Sequence, residues 1–435
     1  MTRDVLQPLA LALPAVEQKP RMPAGFRAGA VAAGIKSSGR PDLGVLATTD
    51  GRPVAVAATF TRNRLRAAPV VASERSLAAS EPAGEGQWGR AAAVVSTSGC
   101  ANAATGPAGD RDQAALMAAL AESLGIGAEH VLALSTGLIG TRLPVEALRH
   151  PLAALARGGL AEGDDALAAL AEQICTTDTR AKSATARLEL PGRDGAARPI
   201  TVSGVAKGVG MIHPRMATML AIVLTDASVE PQTLHRLLGG AVESTWNQLT
   251  VDGDTSTNDT VFLFASGASG AAPVEPGSPA EALLGGAIEA VARSLARQQA
   301  ADGEGATTLI TCQVSGGRDD VQARAAARAV VGSSLVKAAV HGRDPNWGRV
   351  AAAVGNAEVA GRPVAVTVDA MRIAIAGTLV FAGQPVDFDK AAVARLMDAA
   401  ELLIRVELGA GDGIGEAFGC DLTEAYVVEN SAYST

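Results

Sequence analysis

Residues 204–226 hold the side chains best suited to covalent chemistry. This segment leads from Lys207 and nearby glycines to the bond between Ala217 and Thr218, and Thr218 opens an apolar run that predicts a buried strand. A threonine hydroxyl becomes a good nucleophile when a base is adjacent, and the free amine of the same residue is one such base. That amine exists only after the bond is cut. The alternative interpretation is an ordinary first threonine of a buried strand.

Apolar periodicity predicts the elements that must position these residues. Helices are predicted at residues 111–124, 145–156, 165–175, 231–249, 280–301, 321–331 and 391–403. Strands are predicted at residues 54–60, 92–96, 131–135, 217–224, 261–265, 309–314 and 364–368. Because strands and helices mix without a strict βαβ rhythm, we predict an α/β (α+β) fold with mixed sheets between helical layers.

Composition excludes several classes of protein. The 435 residues carry a formal net charge of −8, which argues against a nucleic-acid partner. The four cysteines form no CxxC pair, so we expect reduced, buried thiols and neither a disulfide framework nor a zinc site. No apolar run is long enough for a membrane span, and two prolines interrupt the apolar residues 5–16, which argues against a signal peptide. We therefore expect a cytoplasmic protein.

Two positions beside predicted strands could bind a negative charge. The segment Lys207-Gly-Val-Gly210 lacks the pattern of a phosphate loop, so we interpret Lys207 as a point charge for an anion, with a solvated lysine as the alternative. Thr136 and Gly137 follow the strand predicted at 131–135, where a hydroxyl and an N–H can project toward an acyl-transfer oxyanion. A simple turn explains this glycine equally well.

The remaining polar residues form neither a metal-binding motif nor a catalytic triad. Residues 252–258 begin like a calcium loop, but Thr257 and Leu263 stand where an EF-hand needs Gly and Glu, so we predict turn hydrogen bonds and no metal. No histidine has the Ser or Cys partner of a triad. We interpret His213 as structural, with tuning of the site as the alternative. Glu304 lies between two glycines, from where its carboxylate could reach a cationic ligand such as an amino acid.

Nine strings, in one order along the chain, resemble those of a known enzyme family. They are residues 25–36, 58–63, 135–140, 176–179, 211–220, 251–260, 302–306, 344–349 and 430–435. The string Met-Ile-His-Pro-Arg-Met-Ala-Thr-Met-Leu is similar to the self-cleavage and nucleophile motif of the ornithine acetyltransferases, the glutamate N-acetyltransferases of arginine biosynthesis. The resemblance extends from about residue 25 to the last residue.

The resemblance implies a fold and a set of site residues. It implies an αββα-type core with a second, smaller domain, cut into an intertwined alpha fragment (1–217) and beta fragment (218–435). Cleavage between Ala217 and Thr218 would free the nucleophile, Thr218. The oxyanion hole would be formed by Thr136 and Gly137. Substrate contacts would come from Thr177, Lys207, Thr218, Glu304, Asn430 and Thr435, and the neighbouring Thr176 remains an alternative to Thr177.

Three departures from the family pattern concern the wall of the site. Thr97 and Cys100 stand where the family usually has asparagine, in a segment that is expected to shape the loop near the oxyanion hole. Arg215 replaces a more usual asparagine, three residues before Thr218. These changes could alter the pocket, the rate of self-cleavage or the range of substrates.

The predicted function is a two-step acetyl transfer without cofactor or metal. Thr218 takes the acetyl group from N2-acetyl-L-ornithine, and L-glutamate then accepts it. Acetyl-CoA as a second donor stays open, and the family implies a heterotetramer of two alpha and two beta fragments. The alternatives are an N-terminal-nucleophile hydrolase or aminopeptidase, a secondary-metabolism acetyltransferase of the same family, and an uncleaved binding protein.

Overall fold

The computed structural model describes residues 6–213 and 219–432. The predicted cleavage site at Ala217 and Thr218, the departure at Arg215 and the predicted contact at Thr435 lie outside the described residues. None of the helices in the described residues is both long and apolar enough to cross a membrane.

The described residues form eighteen strands and eleven α-helices. The strands are β1 (Val16–Glu17), β2 (Phe26–Val31), β3 (Leu43–Thr48), β4 (Val54–Phe60), β5 (Trp88–Ala91), β6 (Ala93–Cys100), β7 (Val131–Leu138), β8 (Lys182–Pro191), β9 (Ala197–Lys207), β10 (Leu220–Thr225), β11 (Thr260–Ala265), β12 (Leu309–Gly317), β13 (Glu358–Val359), β14 (Arg362–Pro363), β15 (Arg372–Ile375), β16 (Thr378–Ala382), β17 (Glu401–Glu407) and β18 (Gly413–Cys420). The helices are α1 (Ala68–Ser80), α2 (Gly106–Leu124), α3 (Val145–Ala154), α4 (Asp164–Gln173), α5 (Pro231–Ser244), α6 (Pro279–Ala301), α7 (Asp320–Gly332), α8 (Ser334–His341), α9 (Trp347–Gly355), α10 (Lys390–Leu396) and α11 (Glu424–Ala432).

Three sheets of the described chain mix parallel and antiparallel pairs, as predicted. The seven-stranded sheet has the order β1-β8-β9-β10-β11-β4-β5, in which β10 and β11 are parallel. The four-stranded sheet has the order β2-β3-β6-β7, in which β6 and β7 are parallel. The five-stranded sheet has the order β16-β15-β17-β12-β18, in which β12 and β17 are parallel.

The first two sheets pack face to face because the strands of both sheets are apolar on two sides. In β10, Ile222 and Leu224 face the four-stranded sheet, whereas Ala221 and Val223 face helices α5 and α6. The outer face of the four-stranded sheet is covered by α2 and α3. The layers are therefore α5/α6, sheet, sheet and α2/α3, which confirms the expected αββα sandwich.

The five-stranded sheet forms a second, smaller domain. Its core joins β12, β15, β17 and β18 to helices α7, α8 and α9. Two arginines of α6 fasten this sheet to the sandwich: Arg293 pairs with Glu416 at 2.6 Å, and Arg297 pairs with Glu401 at 2.7 Å. The smaller domain implied by the family resemblance is therefore present.

Two predicted elements are wrong. Residues 364–368 form no strand, because their amides bond to scattered partners: Ala365 N–H to the Gln322 side chain and Thr367 N–H to the Leu408 carbonyl. The helix predicted at 391–403 ends at Leu396, and β17 begins at Glu401. From there every second side chain is buried, a period that only a strand satisfies.

Candidate active site

A cavity of about 90 Å³ lies where β7 and β9 end. Its walls come from segments that are far apart in the sequence. The lining residues are Ala101, Thr136, Gly137, Ile139, Thr176, Thr177, Lys207, Gly210, Met211, Ser256, Thr257, Asn258, Glu304 and Asn430. The structure thus brings together all six described residues that we predicted for the site: Thr136, Gly137, Thr177, Lys207, Glu304 and Asn430. Their roles stay predictions.

Gly137 allows β7 to pass close to β6. Its φ of +125° lies in a region that side chains rarely adopt, and an added Cβ would stand 2.3 Å from the backbone carbon of Gly99. The register of the β6–β7 pair shifts at this point, at Gly99 and Cys100. This close packing fixes the backbone beside Thr136, which is buried in the wall of the cavity.

Lys207 provides the positive charge of the cavity. It ends β9 and is buried, and its Nζ donates a hydrogen bond to Thr136 Oγ1 at 3.3 Å. The same Nζ lies 3.9 Å from Asp178 Oδ2. Gln299 holds the backbone of Lys207 by donating to its carbonyl at 2.8 Å. The predicted anion-binding lysine is therefore a fixed, partly paired group rather than a solvated one.

Asp178 is a site residue that sequence reasoning missed. It accepts hydrogen bonds from Lys182 Nζ at 2.7 Å and from the Gly208 N–H at 2.8 Å. Burial alone would raise the pKa of Asp178, but Lys207, Lys182 and the Gly208 N–H outweigh burial and lower it. Lys182 also donates to Asp302 Oδ2 at 2.6 Å. The sequence predicted no strand at Lys182, so the burial of its ammonium group, which needs a carboxylate partner, became visible only in the structure.

Glu304 provides the negative charge of the cavity. Its carboxylate accepts hydrogen bonds from Thr177 Oγ1 at 3.2 Å and from Asn430 Nδ2 at 2.9 Å. A Cβ on Gly210 would stand 2.3 Å from Glu304 Oε2, so the glycine leaves room for this carboxylate. Thr176 and Thr177 both line the cavity, but only Thr177 of the two has its hydroxyl bonded to Glu304. Thr177 and Asn430 are exposed, so this part of the cavity opens to solvent.

Asn258 is a second residue that sequence reasoning missed. Its side-chain amide donates to the carbonyls of Ala101 at 2.7 Å and Ser135 at 2.8 Å, and it thereby joins two walls of the cavity. The sequence predicts turn hydrogen bonds for its segment, and Asp252 does accept such bonds from the Ile212 and Asp254 amides. Within the described residues, His, Cys, Asp and Glu form no group of three or more that could hold a metal ion.

The described departures from the family pattern lie beside the cavity. Thr97 Oγ1 donates to Ser135 Oγ at 2.8 Å, directly before Thr136. Cys100 Sγ donates to the Thr141 carbonyl at 3.0 Å, and burial raises the pKa of this thiol. Both side chains are therefore buried hydrogen-bonding groups of the wall. All four cysteines are free and buried, as predicted.

Carboxylates hold the chain on both sides of residues 214–218. Before this segment, Asp252 accepts from the Ile212 N–H at 2.9 Å and from the Met211 N–H. After it, Asp259 accepts from the Met219 N–H at 3.0 Å. Met211 lines the cavity and precedes the predicted nucleophile by seven positions in the sequence.

Comparison with known proteins identifies the family. The sequence model of the ArgJ family matches residues 27–435. The arginine biosynthesis bifunctional protein ArgJ of Thermus thermophilus is 46% identical over 415 residues, which cover 95% of this chain and 99% of that relative. A solved chain of the Mycobacterium tuberculosis ornithine acetyltransferase, complexed with ornithine, is 37% identical with a TM-score of 0.39 and covers 46% of this chain and 97% of that one. The chain belongs to the ArgJ family, which confirms the resemblance.

Proposed function

We propose that this protein transfers the acetyl group of N2-acetyl-L-ornithine to L-glutamate, as a cytoplasmic enzyme of arginine biosynthesis. The observation that carries the proposal is the convergence of six predicted site residues on one small cavity, from five separate segments of the chain. The family supports the reaction, since relatives at 46% and 43% identity are named arginine biosynthesis bifunctional proteins.

The first chemical step is self-cleavage. Thr218 Oγ attacks the carbonyl carbon of Ala217, the peptide C–N bond breaks, and water hydrolyses the resulting ester. The products are an alpha fragment (1–217) and a beta fragment (218–435) that begins with a free amine. An α-amine has an unperturbed pKa of roughly 7.7–8.0, and burial lowers it, so it can serve as a base near neutral pH. The assembled enzyme is a heterotetramer of two alpha and two beta fragments.

Acetyl transfer then uses the same hydroxyl. The Thr218 amine takes the hydroxyl proton while Oγ attacks the acetyl carbonyl of N-acetylornithine. Thr136 Oγ1 and the Gly137 N–H stabilise the tetrahedral oxyanion. Lys207 supports this step because its ammonium group donates to Thr136 Oγ1 and leaves the Thr136 hydrogen free for the oxyanion. Ornithine leaves with the proton, and the acetyl group stays on Thr218.

The charges of the cavity suit amino-acid substrates. Glu304 takes the side-chain ammonium of N-acetylornithine, and Lys207 takes a carboxylate. Thr177 and Asn430 hold Glu304 in place through the hydrogen bonds that they donate to it. Thr435 adds a contact from the end of the chain. Glutamate then attacks the acetyl-threonine to give N-acetylglutamate, with no cofactor or metal, and acetyl-CoA serves as a second acetyl donor.

Intact-mass measurement tests the cleavage. The purified protein should give two fragments, the second beginning at Thr218. Thr218→Ala should give one full-length chain without acetyl transfer, because both reactions lose their nucleophile. Thr218→Ser should still be cut. A full-length, inactive wild-type chain would support an uncleaved binding protein instead.

A half-reaction tests the transfer. With N-acetylornithine alone, ornithine release should stop near one equivalent per site, because the acetyl group has no acceptor. Adding glutamate should restart release. Continued release into water would show a hydrolase, and release restarted only by a different amine would show a secondary-metabolism enzyme.

A further inference from the structure

A buried lysine connects the two charged ends of the small cavity. Lys182 begins β8, and its side chain is fully buried. Its ammonium group donates three hydrogen bonds: to Asp178 Oδ1 at 2.7 Å, to Asp302 Oδ2 at 2.6 Å and to the Arg180 carbonyl at 3.2 Å. An ammonium group has three hydrogens, so each of them has a partner within the protein. Lys182 can therefore act on a ligand only through its two carboxylates.

Asp178 connects Lys182 to the positively charged end of the cavity. Its Oδ2 lies 3.9 Å from Lys207 Nζ, and its Oδ1 accepts from the Gly208 N–H at 2.8 Å. Its Oδ2 also accepts from the N–H of Thr176, in the cavity wall, at 3.1 Å. Because Lys182 binds the same carboxylate, it fixes the group against which this end of the cavity is placed.

Asp302 connects Lys182 to the negatively charged end. It follows α6 directly and precedes Glu304 by two positions. It accepts hydrogen bonds from the Thr179 N–H at 3.1 Å and from the Thr179 hydroxyl. Thr177, two positions before Thr179, donates to Glu304 at 3.2 Å. Lys182 and Asp302 therefore hold together the two segments that position the Glu304 carboxylate.

Stability alone does not explain this network of buried charges. Its four charged side chains are all buried, and they are Lys182, Lys207, Asp178 and Asp302. Apolar side chains that replace a buried ion pair often leave a protein equally stable or more stable. What the charges add is a fixed position for the groups that they bind. A substrate with a carboxylate at one end and an ammonium group at the other must match the separation of Lys207 and Glu304.

We propose that Lys182 is a positioning residue that determines which length of amino-acid substrate the cavity accepts, because it holds Lys207 and Glu304 at a fixed separation. The inference rests on the proposed function, in which Glu304 takes the ammonium group and Lys207 the carboxylate. L-Ornithine fits this separation, and L-lysine is one methylene longer. The preference for ornithine over lysine should therefore depend on Lys182.

Calorimetric titration of the purified protein with L-ornithine and with L-lysine tests this role, because it measures binding without acetyl transfer. The wild type should bind ornithine about tenfold more tightly than lysine or better, the usual effect of one methylene in a binding pocket. Lys182→Met keeps the length of the side chain but loses its charge. This variant should reduce the preference to about threefold or less, since the two ends are no longer held.

Lys337→Met is the matched control. Lys337 is also a buried lysine, but its ammonium group donates to the carbonyls of Val251 and Cys420 rather than to the two carboxylates. Its substitution leaves these buried carbonyls without their donor, so it should lower the thermal stability. It should leave the preference for ornithine unchanged.

A charge-balanced variant separates positioning from stability. Lys182→Met leaves two buried carboxylates without their partner, which destabilises the fold. The added substitution Asp302→Asn removes one of these charges, so the double variant should regain thermal stability. It should not regain the preference for ornithine, because the connection between the two ends is still absent. The double variant also serves as the test if Lys182→Met alone does not fold.

Three results would overturn the role of Lys182. They are equal binding of ornithine and lysine by the wild type, an unchanged preference in Lys182→Met, and a preference that returns together with stability in the double variant. Acetyl exchange between N-acetylornithine and glutamate is measured on the same wild-type sample. Normal exchange with any of these results rejects the role of Lys182 alone, whereas absent exchange rejects the proposed function.

Discussion

Lys207 and Glu304 put one positive and one negative side chain in the lining of the same small cavity. Glu304 is bonded only to neutral groups among the described residues, Thr177 and Asn430. Its charge is therefore available for a cationic ligand, whereas that of Lys207 is shared with Asp178. In the proposed mechanism Glu304 binds the substrate, whereas Lys207 also supports the oxyanion through Thr136, so the loss of each residue should change different kinetic parameters.

Glu304→Gln should raise the KM for N-acetylornithine about tenfold and change kcat much less. The amide keeps the size of the side chain but loses the charge that faces the substrate ammonium group. Glu429→Gln is the control, because Glu429 is an exposed neighbour of Asn430 on the same helix. Steady-state kinetics of both variants measure the effect. A fall in kcat at unchanged KM would contradict this assignment.

Asp259 should make the stability of the protein depend on pH. This residue is fully buried, its Oδ2 has no hydrogen-bond partner among the described residues, and burial raises its pKa well above the ordinary value. A raised pKa stabilises the fold below the ordinary carboxyl pKa of about 3.9, and this stabilisation is lost as the pH rises toward the folded value. As the pH rises above the ordinary carboxyl pKa, the burial of Asp259 therefore weakens the fold.

Asp259→Asn should remove this pH dependence. Relative to the wild type, the variant should gain stability between pH 5 and pH 8, because an amide does not ionise. Denaturant unfolding at both pH values measures the difference, in a Thr218→Ala background so that a single chain unfolds. Asp387→Asn, at an exposed position, should leave the pH dependence of the unfolding free energy unchanged. If the unfolding free energy changes equally with pH in the wild type and in Asp259→Asn, Asp259 does not titrate in this range.

At the scale of elements, the β6–β7 pair positions Thr136. Gly137→Ala should destabilise the protein by about 3 kcal/mol or more, because it combines an unfavourable φ with a clash against the Gly99 backbone. Gly140→Ala isolates the first effect: Gly140 has a φ of +82°, but no atom lies within 4 Å of an added Cβ. We expect that control to cost about 1 kcal/mol. Thermal unfolding of both variants measures their losses of stability. Equal losses would show that the clash with the Gly99 backbone does not contribute.

Elements with one clear period were predictable from the sequence. The strand predicted at residues 54–60 has the bounds of β4, and the helix at 280–301 differs from α6 by one residue. The helix at 391–403 failed because the period changes from helical to alternating within one apolar stretch. The strand at 364–368 failed because β propensity does not reveal whether a neighbouring strand is available. Whether a strand finds a pairing partner depends on the tertiary structure and not on its local sequence.

The sequence predicted residues of the candidate site only where they belong to a motif of the family resemblance. The resemblance selected six residues that line one cavity. It did not indicate Asp178 or Asn258, whose importance comes from bonds to Lys182 and to the Ser135 carbonyl. Such bonds join residues 4 and 123 positions apart. The first pair is close in the sequence but lies on no helix, and the second pair is far apart, so both bonds needed the fold.

At the scale of the whole molecule, the proposed cut falls between two strands of one sheet. Strands β1, β8, β9, β4 and β5 belong to residues 1–217, whereas β10 and β11 belong to residues 218–435. In the sheet, β10 pairs with β9 and β11 pairs with β4. The central pair of one fragment is therefore enclosed on both edges by strands of the other.

The two fragments should stay together after cleavage. Gel filtration of cleaved protein should give one peak that contains both fragments, at low and at high salt, because backbone hydrogen bonds and apolar packing hold them. Denaturant should be needed to separate them. Separate elution of the fragments under native conditions would show that the interleaved sheet does not hold them together.

The interleaved sheet also makes folding and unfolding different reactions. The newly made chain folds as one molecule, so the covalent link between β9 and β10 keeps these partner strands near each other while they pair. The cut chain, once unfolded, must reassemble from two molecules, so its recovery depends on concentration and competes with aggregation. If the proposed cleavage occurs, refolding becomes a bimolecular reaction, and at low concentration the two unfolded fragments should scarcely regain the native sheet.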